Sequence, residues 1–297
     1  MAIKKLPSTG DSPRSTGVPD SLVGGGASDS AGFPWAGRTF DHHDTAFSGD
    51  DGSASPTHIA LVTAVRDAAA AARSAAASAE YWDAVRVVAD AQADAIAGFA
   101  TERFLVPMLA EAGDVGQTPD GRTVEKSQEL SIVAVAAPDG RKALPIFSSV
   151  ATLNRWNPEA RPIPVPGAQT ALAAAQDGTE LIIIDPGTPE REFGVRRTAL
   201  EALALGRRVI PAWADAAVQE EFRGLGAADP RIAELWLVPG ELESRLLQPE
   251  VTVLVRVAEG AAGARREVLE ALQARIAASE VVADRVDSLT LRPVAGE

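Results

Sequence analysis

Between Arg103 and Pro166 the chain alternates short apolar runs with turn signals, and this stretch constrains the fold more than any other. Phe104 to Leu109 (FLVPML) and Ser131 to Pro138 (SIVAVAAP) have the length and composition of buried strands. Pro138-Asp139-Gly140-Arg141 then supplies the residues that a tight turn demands and leads into a third strand, Lys142 to Phe147. Arg161 to Gly167 (RPIPVPG) is extended, because its prolines donate no backbone hydrogen bond and forbid helix. Glu180 to Pro186 (ELIIIDP) is a near-continuous apolar run bounded by turns, which predicts a central strand covered on both faces.

Helices flank these strands. Ser55 is placed as an N-cap with Pro56 at the first helical position. Ile59, Leu61, Val62 and Val65 then set an apolar stripe on that helix. The Ala-rich continuation, residues 68 to 79, forms helix readily but has little to bury, so a solvated, weakly packed helix or connector is expected. A second helix spans roughly Tyr81 to Ala97, and shorter ones span Ala151 to Arg155 and Thr170 to Gln176. Another covers Arg196 to Leu205, with Gly206 as its left-handed cap. Arg207 to Trp213 is expected to be a strand, at a sheet edge because of Pro211.

Toward the C-terminus, strands at Glu234 to Val238 and Val251 to Val257, a helix at Ala264 to Ala278 and a strand at Asp287 to Pro293 give a β-α-β order. The fold class is therefore α+β: a mixed β-sheet flanked by helices, plus a small C-terminal β-α-β unit. Residues 1–33, rich in Gly, Ser, Pro and Asp, are expected to form a disordered tail, with Phe33-Pro34-Trp35 as the first anchor. Residues 34–215 form the main domain and 216–297 a small α+β domain.

Composition narrows the function by exclusion. In 297 residues, 28 basic against 41 acidic side chains give a net charge of −13, which repels phosphate backbones, so nucleic acid is not an expected partner. No apolar run is long enough to span a membrane. The lysines near the start are not followed by the apolar region of a secretory signal. Cysteine is absent, which removes disulfides, thiolate nucleophiles and thiolate metal sites. A cytoplasmic location fits these features.

The densest cluster of reactive side chains is FDHHDTAFSGDDG, which holds Asp41, His42, His43, Asp44, Asp50 and Asp51. Carboxylate and imidazole together suit metal chemistry. Asp41-His42-His43 also matches the short signature of the DHH phosphoesterases. That signature follows a buried strand, whereas Gly37-Arg38-Thr39-Phe40 precedes it here and His58 is the only other histidine. The reading preferred is an acidic loop in which Asp50-Asp51-Gly52 forms a turn by side-chain to backbone hydrogen bonds. The alternative is a metal-dependent hydrolase using the Asp/His-rich loop 41–51, through Asp41, His43, Asp44, Asp50 and Asp51.

Other chemistry is thinner. No GxSxG elbow is present, and Gly224 to Asp229 lacks the third glycine and the preceding strand of a dinucleotide cradle. Asp185 directly follows the best central strand, where open α/β sheets place ligands, but Asp-Pro-Gly equally suits a strand exit. Trp156 is either an exposed interaction residue or a cap on the core beneath the proline-rich segment. The candidate binding residues are thus Asp50, Asp51, Trp156 and Asp185, with no catalytic residue, metal ligand or cofactor assigned. A protein partner or homo-oligomer is the expected association, docking along an exposed strand near Pro145 or Pro211.

Several segments together resemble the SseB family in its high-GC actinobacterial form. They are GRTF (Gly37 to Phe40), AFSGDDGSASP (Ala46 to Pro56) and ERFLVPMLAE (Glu102 to Glu111), then ALPIFSSVATLNRWNPEARPIPV (Ala143 to Val165), LIIIDPG (Leu181 to Gly187) and RRTALEALALG (Arg196 to Gly206). Their order and spacing resemble the family's N-terminal domain over roughly residues 37 to 215, and the tail from Val251 is similar to its C-terminal region. The Ala-rich residues 68–79 are longer than this pattern suggests and read as a lineage-specific insertion. The family is named for an effect on serine sensitivity in bacteria and is distinct from a type III secretion translocon protein of the same name. The resemblance implies a cytoplasmic α+β protein with no established activity and carries over no catalytic residues. The lack of nucleophile, metal and phosphate constellations within a well-specified scaffold is what leads us to expect a non-enzymatic binding or regulatory protein.

Overall fold

The computed structural model of the chain describes residues 47, 49–112, 115–117, 123–125 and 128–294. The chain divides into two compact units, 1–50 and 51–297. In the first, the Asp50 amide donates to the Phe47 carbonyl at 3.0 Å. Among the described residues every helix and strand lies in the second. The tail 1–33, the Phe33-Pro34-Trp35 anchor and Asp41, His42, His43 and Asp44 lie outside the described residues.

The second unit starts with a helical pair. Helix α1 (Pro56–Ser74) opens as its sequence dictates, with the Ser55 hydroxyl accepting from the His58 amide and Pro56 in the first turn. Helix α2 (Ser78–Phe99) packs back along it. The expected stripe shifts by one position: Val62 and Val65 are buried beside His58, whereas Ile59 is exposed. The Ala-rich run corrects the expectation of a weakly packed connector. Ala68, Ala69 and Ala72 are buried, because their small side chains let the two helices approach closely. Helix α1 ends within the run, at Ser74.

Strand β1 (Arg103–Ala112) lies between β4 (Gln128–Ile132) and β7 (Arg161–Pro166), both antiparallel to it. A short ribbon, β2 (Val115–Gln117) with β3 (Thr123–Glu125), forms between β1 and β4 in the chain. The Gly167 amide donates to the Glu102 carbonyl, which fixes the ladder phase so that Val165, Ile163 and Arg161 bond β1. Pro162, Pro164 and Pro166 thus fall where no donor is needed, and β7 presents an outer edge that no further strand can join.

The mixed sheet has the order β5-β6-β8-β9, from β5 (Val135–Ala136), β6 (Lys142–Ile146), β8 (Leu181–Ile184) and β9 (Phe193–Val195). Strands β6 and β8 run parallel and the outer pairs antiparallel. As expected, β8 is central. The run Ser131 to Pro138 is divided between β4 and β5 in different sheets, rather than forming one buried strand. Pro145 lies in the interior strand β6 and is buried, so it offers no docking edge.

Helices α3 (Val150–Trp156) and α4 (Gly167–Gln176) flank β7 in sequence, and α5 (Leu200–Leu205) ends on Gly206 with φ 62°. Arg207 to Trp213 is not a strand. The Pro211 carbonyl accepts from the Ala214 and Asp215 amides in the turn that starts α6 (Ala216–Ala227), while Ala212 and Trp213 are buried. Pro211 is therefore used as a turn acceptor and cannot join a ladder.

A last sheet has the order β10-β11-β12, with β10 (Ile232–Pro239) antiparallel and β12 (Leu289–Val294) parallel to β11 (Val251–Val257). Helices α7 (Arg265–Ala277) and α8 (Glu280–Arg285) make the crossover, which gives the expected β-α-β order. Val251, Val253 and Val255 all face inward, as their alternation requires.

Two main cores result. One joins Phe99, Phe104, Ile146, Ile182, Ile184 and Phe193; the other joins Val85, Val88, Trp213, Phe222, Val253 and Leu272. Both draw on the α1–α2 pair. Its Val62, Val65 and Phe99 enter the first core, and its Ala72, Val85 and Val88 enter the second.

Candidate functional site

The carboxylate most constrained by the fold is Asp185. Strand β8 ends at Ile184, and Asp185 then takes the left-handed backbone, with φ 48°, that turns the chain into Pro186-Gly187. Aspartate tolerates this conformation better than most residues. Its amide donates to the Ile146 carbonyl at 2.9 Å, so the residue is fixed between the ends of β6 and β8.

The side chain turns inward and is 0% exposed. Oδ1 accepts from the Ser148 amide at 2.8 Å and from the Thr152 hydroxyl at 2.6 Å, and Oδ2 accepts from the Ser148 hydroxyl. Ser149 and Thr152 form the capping box of α3. Burial pushes the Asp185 carboxyl up, but the neighbouring His58 imidazole, Ser148 and Thr152 outweigh it and hold the group below its ordinary range.

His58 comes from the first turn of α1. Its Nε2 stands 3.7 Å from Asp185 Oδ2, beyond hydrogen-bond length, and neither ring nitrogen has a hydrogen-bond partner. The ring lies 5.2 Å from that of Phe99 and 5.5 Å from that of Phe104. Serine, histidine and aspartate thus meet, but not as a nucleophile relay. Such a relay needs the hydroxyl bonded to the imidazole, and here Ser148 donates to the carboxylate. His58, Ser148 and Asp185 are all buried, and none of them lines a described pocket. The arrangement pins α1, α3 and the β8 exit together.

Asp51 and Trp156 take no part in this cluster. Asp51 is exposed, and its Oδ1 accepts from the Ser53 amide at 2.8 Å and the Ser53 hydroxyl at 2.6 Å. Those bonds hold its carboxyl below the ordinary value, with the hydroxyl the larger cause. Gly52 follows at φ 78°, so the segment is a side-chain-stabilised turn. Asp50 is also exposed. Trp156 is half-buried, with its ring 5.3 Å from that of Phe147, and it caps the small cluster of Leu105, Leu153 and Ala160. Among the described residues, no group of three or more His, Asp or Glu side chains is placed to hold a metal ion.

A second polar constellation has no signal in the sequence. Asp287 accepts from both terminal nitrogens of Arg141 at 2.8 Å and from Arg196 at 3.3 Å. Arg196 also donates to Glu241 at 3.3 Å and to the Gln248 carbonyl at 2.9 Å. Glu250 accepts from the amides of Ala212 at 3.0 Å and Asp287 at 2.8 Å. Burial pushes the Asp287 carboxyl up, but Arg141 and Arg196 more than reverse it; for Glu241 and Glu250 burial prevails and both are raised. A cavity of about 40 Å³ touches Arg196, Glu241 and Glu250, enough for on the order of two or three waters. Every charged group in it is engaged by the protein, so the network reads as an internal tie between the mixed sheet and the last sheet.

The family model described as SseB protein N-terminal domain matches residues 60–202. No curated protein and no solved structure matches the chain.

Proposed function

The chain belongs to the SseB family through the domain at residues 60–202, and from that premise we propose that it is a non-enzymatic binding or regulatory protein acting in the cytoplasm. The observation that carries the reading is the state of the Asp185 cluster. The one meeting of serine, histidine and aspartate among the described residues is sealed in the core, with its hydroxyl turned to the carboxylate. A hydroxyl so placed has no base to activate it and no substrate path. Ser148, Thr152 and Asp185 satisfy one another and hold the scaffold, which suits a protein that acts through its surface. The actinobacterial assignment is part of the same reading and rests on the sequence segments that resemble the family.

Metal-dependent hydrolysis through Asp41, His43, Asp44, Asp50 and Asp51 is the competing reading. Asp51 lends it no support, since Ser53 occupies its Oδ1. Calorimetric titration of the full chain with Mn²⁺ and Zn²⁺ separates the two. The expected result is no micromolar binding; micromolar binding lost on joint Asp50→Ala and Asp51→Ala substitution overturns the proposal.

A further inference from the structure

Strand β10 leaves one edge of the last sheet open. The Gly240 amide donates to the Glu250 carbonyl at 2.9 Å, which sets the phase of the β10–β11 ladder. In that phase Glu234, Trp236 and Val238 exchange hydrogen bonds with Arg256, Leu254 and Thr252 of β11. The N–H and C=O groups of Leu235 and Leu237 therefore point away from the sheet. Among the described residues nothing in the chain meets them.

Beside this edge runs a groove of about 230 Å³, walled by Trp82, Phe222, Arg223, Leu235, Trp236 and Leu237. Phe222 is buried, while Trp236 is 37% exposed. Tryptophan and arginine beside an unpaired edge are the composition of a binding hot spot. Two other edges are closed: β7 by its prolines, and β9 by Ser244, whose carbonyl accepts from the Gly194 amide and whose hydroxyl donates to the Gly194 carbonyl.

We propose that the open β10 edge is a homodimer interface, in which a second copy of this chain adds its own β10 antiparallel about a two-fold axis through Trp236. That register pairs Leu235 with Leu237 of the second copy and Leu237 with its Leu235, so every outward donor and acceptor of both residues is matched. It sets Trp236 against Trp236 of the second copy in a non-hydrogen-bonded pair, where side chains are closest and aromatic pairs are favourable. Glu234 faces Val238 of the second copy, so no like charges oppose.

Charge explains why a copy of so acidic a chain fits here. The charges at the groove are compensated within the chain: Arg223, which lines it, by Glu220, and Glu234, next to Leu235, by Arg256. The face is locally neutral despite the net −13, and it escapes the self-repulsion that acts elsewhere. The inference does not depend on the chain being non-enzymatic.

The absence of native cysteine makes the test specific. Sedimentation equilibrium of the full chain across micromolar concentrations is expected to show a reversible dimer. Trp236→Glu, which opposes two carboxylates at an exposed position, halves the apparent mass and leaves the circular dichroism unchanged. Trp236→Cys, under mild oxidation with diamide, gives a disulfide-linked dimer on a non-reducing gel, because the paired Cα atoms lie about 4.5 Å apart and within disulfide reach. Val87→Cys, 58% exposed on α2, is the control and does not cross-link faster than random collision allows. A wild-type monomer at every concentration overturns the proposal and leaves the groove to an extended segment of another protein. A dimer insensitive to Trp236→Glu, or cross-linking no faster through residue 236 than through residue 87, overturns it as well.

Discussion

Arg141 grips Asp287 through both terminal guanidinium nitrogens, each 2.8 Å from a different carboxylate oxygen, across 146 positions of sequence. The pair ties the turn before β6 to the segment leading into β12. Asp287 also receives Arg196 and the Arg197 amide, while its own amide donates to Glu250. Four segments are thus fastened at one residue whose side chain is 0% exposed.

Asp287→Ala should therefore destabilise the protein by about 1–3 kcal/mol, because it takes the bidentate partner from Arg141 and leaves the buried Arg196 with Glu241 as its remaining carboxylate. Arg141→Lys keeps the charge but loses the fork and should cost about 1–2 kcal/mol. Urea unfolding of both single variants and the double variant checks this. Additive losses would mean that the two residues are not coupled.

Asp185 makes a comparable prediction at the other polar cluster. Alanine there strands the Ser148 amide and hydroxyl in the core, and it places a less tolerant residue at φ 48°. A loss of about 3–5 kcal/mol is expected. Asp185→Asn keeps the backbone preference but turns an amide N–H₂ toward donors, for about 1–3 kcal/mol. The midpoint of chemical denaturation reads both, and Asn should fall between wild type and Ala.

How much of this was legible in the sequence depends on whether a signal is local. Ser55-Pro56, Gly206 and the Pro138-to-Arg141 turn act within a few residues, and each lies where its chemistry predicts. The alternating valines of β11 likewise face one way. Sharing of the α1–α2 pair between two cores leaves no periodic trace, so the sequence carries no sign that Ala68 and Ala72 pack with Val85 and Val88 of α2. Pro211 could be read as an edge proline, yet its carbonyl was needed in the turn before α6. Asp185 was legible as a strand-exit residue, whereas its burial depends on Ser148, Thr152 and His58 arriving from three other segments. Arg141 and Asp287 carry no mutual signature, since an ion pair across such a separation has no spacing rule.

Acidity should act on the protein in two opposite steps. Glu241 and Glu250 are raised above 4.5, so the folded state binds their protons more tightly than the unfolded chain. Their contribution is present on the acid side and is lost as pH rises through the folded values. Asp185 and Asp287 are lowered from 3.8, so their contribution holds above that value and is lost as pH falls through the folded ones. Stability should thus increase on acidification from neutral toward about pH 4.5 and then collapse below about pH 3.8. Thermal melts across this range test it, and joint Glu241→Gln and Glu250→Gln substitution should flatten the first step alone.

Gly167 gives the sharpest steric prediction. It opens α4, its amide donates to the Glu102 carbonyl at 2.8 Å, and a Cβ there would stand 1.9 Å from the Phe99 carbonyl oxygen. The obstructing atom is backbone at the end of α2, so relief requires a helix to move. Gly167→Ala should destabilise by about 1–3 kcal/mol or more, as overpacking does. Gly260→Ala is the matched control: nothing lies within 4 Å of the added carbon, and a change within about 0.5 kcal/mol is expected. Melting temperatures of the two variants read the contrast directly. Equal losses would mean that α2 and α4 do not meet closely at this point, and the first core would then have to be assembled differently around Phe99.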